Sequence, residues 1–88
     1  MIVKELEIRN ELGIHARVAS RIVREVRRFE SNVTVREGGE AYNFRNITGV
    51  ITVHAKKGKI LTIEFDGPDE QEASEAIAAL FADKFGER

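Results

Sequence analysis

The 88 residues, 42% hydrophobic and 33% charged, suffice for one small core shared by a sheet and a few helices; they exclude a disordered chain and leave no room for a deep two-domain cleft. Cysteine is absent, which excludes disulfides, thiolate catalysis and zinc-thiolate centres, and two histidines fall short of a structural zinc site. Net charge is −1, but residues 1–36 hold eight Lys/Arg against five Asp/Glu and residues 37–88 six against ten, a split that favours one basic face for an acidic partner over general affinity for nucleic acid. No apolar run approaches the roughly 20 residues of a membrane span, and Met1-Ile2-Val3-Lys4-Glu5 lacks the layout of a signal peptide. The expectation is one cytoplasmic domain over residues 1–88, working as a monomer without cofactor, metal or membrane contact.

From Ile2 to Ile8, the residues Ile2, Lys4, Leu6 and Ile8 share one side and Val3, Glu5 and Glu7 the other, which predicts a first strand. Gly13-Ile14-His15-Ala16-Arg17 follows and opens a helix. A helix start gathers unpaired N–H groups and the positive end of the dipole, so it attracts phosphate and other anions. Imidazole placed there is a competent nucleophile near neutral pH and can carry a covalent group for a time, and Arg17 can neutralise added negative charge. The competing reading is a half-exposed histidine serving only as a cap.

The spacing of Ala19, Ile22, Val23, Val26 and Phe29 predicts a helix from Ala16 to Phe29, with Arg17, Arg21, Arg24 and Arg28 striping another face. Such a stripe is commonly a solvated surface; starting beside His15, it also serves as a docking face. Ser31 to Arg36 and Glu40 to Phe44 read as strands joined by Gly38-Gly39, a dipeptide suited to the positive φ angles of a tight hairpin. Asn46 is placed to cap one or two helical turns over Ile47-Thr48-Gly49-Val50-Ile51, against the β-branched character of that segment. Ile60 to Phe65 predicts a last strand with Leu61, Ile63 and Phe65 toward the core. Gly67-Pro68-Asp69, acidic residues in the next turn, Lys84 near the exit and Gly86 as a stop predict a final helix whose apolar face is Ala73, Ala76, Ile77, Leu80 and Phe81. This order gives an α+β two-layer sandwich, a four-stranded antiparallel sheet with three helices on one face.

Across nearly all its length the chain resembles the HPr family, the histidine-containing phosphocarrier proteins of the bacterial phosphoenolpyruvate-dependent sugar phosphotransferase system. The resemblance is carried by Gly13-Ile14-His15-Ala16-Arg17, which matches the family's active-site motif, with Gly49-Val50, Lys57-Gly58, and Gly67 with Asp69-Glu70 in support. It implies that His15 accepts a phosphoryl group from phosphorylated enzyme I, on Nδ1 as in the family, and passes it to a sugar-specific or regulatory acceptor of the enzyme IIA type. Arg17 would then stabilise the phosphate, with Ala16, Ser20, Arg21, Arg24, Ile47 and Thr48 around the site. The chain is thus expected to be a carrier rather than an enzyme.

Four positions depart from the family. Val18 stands where proline usually follows the arginine, so the first turn keeps an N–H and loses a fixed φ. Asn46 occupies the place of a regulatory serine and has no hydroxyl to phosphorylate, which predicts no regulation there. Thr48 replaces a larger apolar residue and reduces the docking patch. His54 replaces a common glycine, so it must either take a left-handed conformation or give the short helix another exit. These departures leave a second reading open, a regulatory binding module on the same scaffold, nitrogen-related or non-transferring. Binding of nucleic acid is not expected, since no aromatic-rich ribonucleoprotein motif is present.

Overall fold

The computed structural model describes residues 1–88, and its sheet follows from the alternation of side chains. Strands β1 (Ile2–Glu7), β2 (Asn32–Glu37), β3 (Glu40–Asn43) and β4 (Ile60–Asp66) pair antiparallel in the spatial order β1-β4-β2-β3. Leu61, Ile63 and Phe65 of the central β4 are buried as expected; Leu6 lies opposite Leu61, Val35 opposite Ile63, and Val33 opposite Phe65. Gly38 and Gly39, with φ of 58° and 82°, make the β2–β3 hairpin that their sequence implied.

Three helices cover the inner face: α1 (Ala16–Val26), α2 (Ile47–Val53) and α3 (Glu70–Ala82). Helix α1 buries Val18, Ala19, Ile22, Val23 and Val26, while α3 buries Ala73, Ser74, Ile77 and Phe81 and leaves Ala76 and Leu80 half-covered. With Phe44, Val50 and the inner row of the sheet these form one apolar core.

Several boundaries differ from expectation for identifiable reasons. Helix α1 stops at Val26 rather than Phe29. The N–H groups of Arg28 and Phe29 bond to the carbonyls three residues back, tightening the last turn. The next N–H groups, of Glu30 and Ser31, go to the Asp69 carboxylate at 2.9 Å, together with the Ser31 hydroxyl, which turns the chain into β2. Asp69 precedes α3 but does not cap it; the Glu70 carboxylate reaches back to the Gly67 N–H at 3.1 Å instead. Asn46 likewise stands ahead of α2 without a side-chain cap bond, against the sequence reading; its backbone carbonyl accepts from the Val50 N–H. The short helix forms in spite of its β-branched residues because Val50 enters the core and Gly49 allows the helix backbone to lie on that of Asn43. At the far end, α3 gives way to Lys84, Phe85 and Gly86, all with positive φ of 55° to 76°. Phe85 is driven into the core by this left-handed turn and meets the edge of Phe81 at 4.8 Å between ring centroids.

Candidate functional site

The segment leading into α1 is fixed by backbone bonds before any side chain acts. The Gly13 N–H bonds to the Asn10 carbonyl and the Ile14 N–H to the Ala55 carbonyl, just past α2, while the Ile14 side chain is buried. Gly13 has φ of +69°, and a Cβ there would stand 2.6 Å from the Ala55 carbonyl oxygen, so only glycine fits. His54 ends α2 in the left-handed region, at φ 49° and ψ 48°, which decides between the two exits open to it.

His15 emerges from this loop as the cap of α1. Its backbone is extended, its carbonyl accepts the first helical bond from Ala19, and its Nδ1 accepts from the Arg17 N–H at 3.3 Å. Nδ1 is therefore the ring nitrogen with the lone pair, turned toward the anion-attracting end of the helix. The other nitrogen, Nε2, lies 2.9 Å and 3.0 Å from the two carboxylate oxygens of Glu87, to which its proton is donated. The imidazole side chain is 30% exposed and the carboxylate beneath it 16%.

Glu87 has two further partners. The amide of the fully buried Asn10 donates to Oε1 at 3.0 Å, and the Arg17 guanidinium approaches Oε2 at 3.6 Å. The bond from His15, seconded by Asn10 and by the positive charge of Arg17, holds the Glu87 carboxyl below its ordinary value of 4.5 against the opposing effect of burial.

Of the residues expected around His15, Arg17, Arg21 and Arg24 do come together. With Val18, Phe85, Gly86 and Glu87 they line a shallow cleft of about 190 Å³ that reaches the Glu87 carboxylate; His15 is not part of its lining. Arg28 does not join them, since it lies past the end of α1, pairs with Glu25 at 2.8 Å and covers the Phe29 ring. Ala16 is exposed and Ser20 half-buried on α1. Ile47 and Thr48 lie on α2, which packs beside α1, and there Ile47 and Ile51 expose apolar surface. Val18 is a core residue, so the side chain in the proline position contributes packing. Asn10, Leu12, Ile51 and Glu87 were not singled out by the sequence reading. Leu12 is the most exposed large apolar side chain, at 74%. No periodic pattern marks Asn10 or Glu87, because their link to His15 is made by the fold.

The chain matches a family model described as "PTS HPr component phosphorylation site" over residues 2–83, a span that ends before Glu87. The phosphocarrier protein HPr of Cupriavidus necator is 39% identical over 87 residues, covering 99% of this chain and 98% of the relative. Among solved structures, HPr-C-His from Thermoanaerobacter tengcongensis matches with a TM-score of 0.94 at 32% identity, over 100% of this chain and 99% of that one. Crh, the Bacillus subtilis catabolite repression containing protein whose crystal structure is described as a swapped dimer, matches with a TM-score of 0.75 at 33% identity, over 96% and 97% of the two chains.

Proposed function

The chain belongs to the HPr family of phosphocarrier proteins, and from that membership we propose that His15 takes a phosphoryl group on Nδ1 from phosphorylated enzyme I and passes it to enzyme IIA-type acceptors of a bacterial phosphotransferase system. The observation that carries this reading is the division between the two ring nitrogens, with a lone pair on Nδ1 at the helix start and a proton on Nε2 against Glu87.

In the forward step the Nδ1 lone pair bonds to phosphorus while the N–P bond to the donor's phosphohistidine breaks, and the donor imidazole leaves with that electron pair. The proton on Nε2 stays in place, so the phosphorylated ring gains positive charge, which the Glu87 carboxylate offsets. Arg17, 83% exposed and held to Glu87 only at 3.6 Å, can swing to the phosphoryl oxygens, joined by the backbone N–H groups of Ala16 and Arg17. A site this open binds the group weakly, and that suits a carrier which must release it.

Docking of the acidic surface of a partner falls to Ala16, Ser20, Arg21 and Arg24 on α1, with Ile47 and Thr48 on α2. Asn46 offers no hydroxyl to a regulatory kinase. A cytoplasmic location and action as a monomer belong to the same proposal. No helix is long and apolar enough to cross a membrane, and the monomer is to be checked by sedimentation, given the dimeric Crh.

The test is incubation with phosphoenolpyruvate and a bacterial enzyme I, read by intact mass and acid lability beside His15→Ala. One acid-labile phosphoryl group, lost in the variant, is expected. No addition, with the enzyme active on a control carrier, would favour a docking module that carries no phosphate.

A further inference from the structure

Asn10 is one of three buried polar residues in the protein and has no exposed surface. Its amide donates one proton to the Gly13 carbonyl at 2.9 Å and the other to Glu87 Oε1 at 3.0 Å, while its own Oδ1 has no hydrogen-bond partner. Reversing the amide would set its oxygen against a carbonyl and a carboxylate, so the bonding fixes the orientation. An unpartnered acceptor inside a protein is costly, and an apolar side chain of the same size would avoid it; what the amide adds at this position is its two donated protons.

Those protons join two segments far apart in sequence. One is the turn from Asn10 to Gly13 that presents His15; the other is the carboxylate facing His15 Nε2. Glu87 follows three left-handed residues, and the C-terminal segment is otherwise tied down by the buried Phe85, by bonds from the Gly86 and Glu87 N–H groups to the Asp83 and Lys84 carbonyls, and by the Arg88 carbonyl, which accepts from the Glu11 N–H at 2.7 Å. These ties fix the backbone and do not aim the Glu87 side chain.

We infer that Asn10 is a positioning residue for His15: acting through Glu87, it holds the imidazole in the tautomer that keeps Nδ1 free to attack phosphorus. This rests on the reading of His15 as the phosphoryl acceptor. Aspartate in this position is nearly isosteric but has no donors when ionised and sets a second negative charge against Glu87, which would draw the carboxylate away from the ring.

The experiment reads the ring nitrogens of His15 by ¹⁵N NMR, at a pH where the ring is neutral, in wild type, Asn10→Asp, Asn10→Ser and Glu87→Ala. Each Asn10 substitution is also combined with Glu87→Ala. The wild type is expected to show a proton on Nε2 alone. Asn10→Asp is expected to show a mixture of tautomers, and phosphorylation by enzyme I roughly tenfold slower, the size of one lost hydrogen bond to a charged group. In the Glu87→Ala background the Asn10 substitutions are expected to change neither reading. If Asn10→Asp does not fold, Asn10→Ser, which keeps a single donor, decides the matter in the same way. Wild-type tautomer in the Asn10 variants, or equal slowing with and without Glu87, overturns the inference. The ring spectrum is taken on unphosphorylated protein, so a wild-type chain that accepts no phosphoryl group defeats the carrier reading separately.

Discussion

Glu87 holds the Nε2 edge of His15 at 2.9 Å across a separation of 72 residues, and the opposite edge of the ring accepts from the start of α1 at 3.3 Å. The two ring nitrogens are thus distinguished from both sides, by a carboxylate that takes the proton of one and a backbone N–H that meets the lone pair of the other.

The lowered carboxyl of Glu87 makes this contact sensitive to acid. A carboxylate whose folded-state pKa is depressed stabilises the fold above its unfolded value, here 4.5, and that contribution is lost as pH falls through the folded value. Thermal unfolding of wild type and Glu87→Gln is expected to show wild type ahead at pH 6, with the difference shrinking below about pH 4.5. Parallel curves down to pH 2.5 would contradict the linkage.

Arg17 should separate stability from transfer. Its guanidinium is 83% exposed and stands 3.6 Å from Glu87, too long and too solvated a contact to add much to stability. Arg17→Ala should therefore leave Tm nearly unchanged while phosphoryl uptake slows by about ten- to a hundredfold, as expected for removal of a charge-assisted donor to the moving phosphate. Stopped-flow or quenched labelling by enzyme I measures the second effect.

Phe85→Ala should act on both. The ring is buried at the turn of the left-handed segment, so its loss should destabilise by about 3–5 kcal/mol. It should also loosen Glu87, so that a second tautomer of His15 appears in the ring ¹⁵N spectrum of the folded variant.

His54→Gly should stabilise the protein. A non-glycine residue in the left-handed conformation costs about 1–2 kcal/mol, partly offset by the greater freedom of glycine in the unfolded chain. A net gain of about 0.5–1 kcal/mol is expected from urea unfolding, with an unchanged m value.

The sequence revealed those features that local chemistry sets. Gly38-Gly39 announced its hairpin, alternation in Ile60 to Phe65 announced the inner face of β4, and Gly13-Ile14-His15 ahead of an amphipathic run announced the start of α1. Long-range contacts were hidden. Phe29 fits the helical spacing of α1, yet the helix ends at Val26 because Asp69, from the entrance of α3, takes the N–H groups of Glu30 and Ser31. Asn46 and Asp69 occupy cap positions in sequence, but the side chain of Asp69 is engaged elsewhere and that of Asn46 makes no cap bond. Asn10 and Glu87 could not be linked to His15 from spacing, since three left-handed residues at the end of α3 are what turn Glu87 back toward the ring. Of the arginines at helical spacing, Arg17, Arg21 and Arg24 lie on α1 and line one cleft, while Arg28 falls past the end of the helix and pairs with Glu25.

The most direct measurement is NMR of the protein labelled with ¹⁵N in its histidines, after phosphorylation by enzyme I and phosphoenolpyruvate, with the ³¹P–¹⁵N coupling assigning the phosphorylated atom. The account predicts a single phosphoryl group on Nδ1 of His15, with Nε2 still protonated. A phosphoryl group on Nε2, on His54, or on no histidine while enzyme I phosphorylates a control carrier, would contradict it.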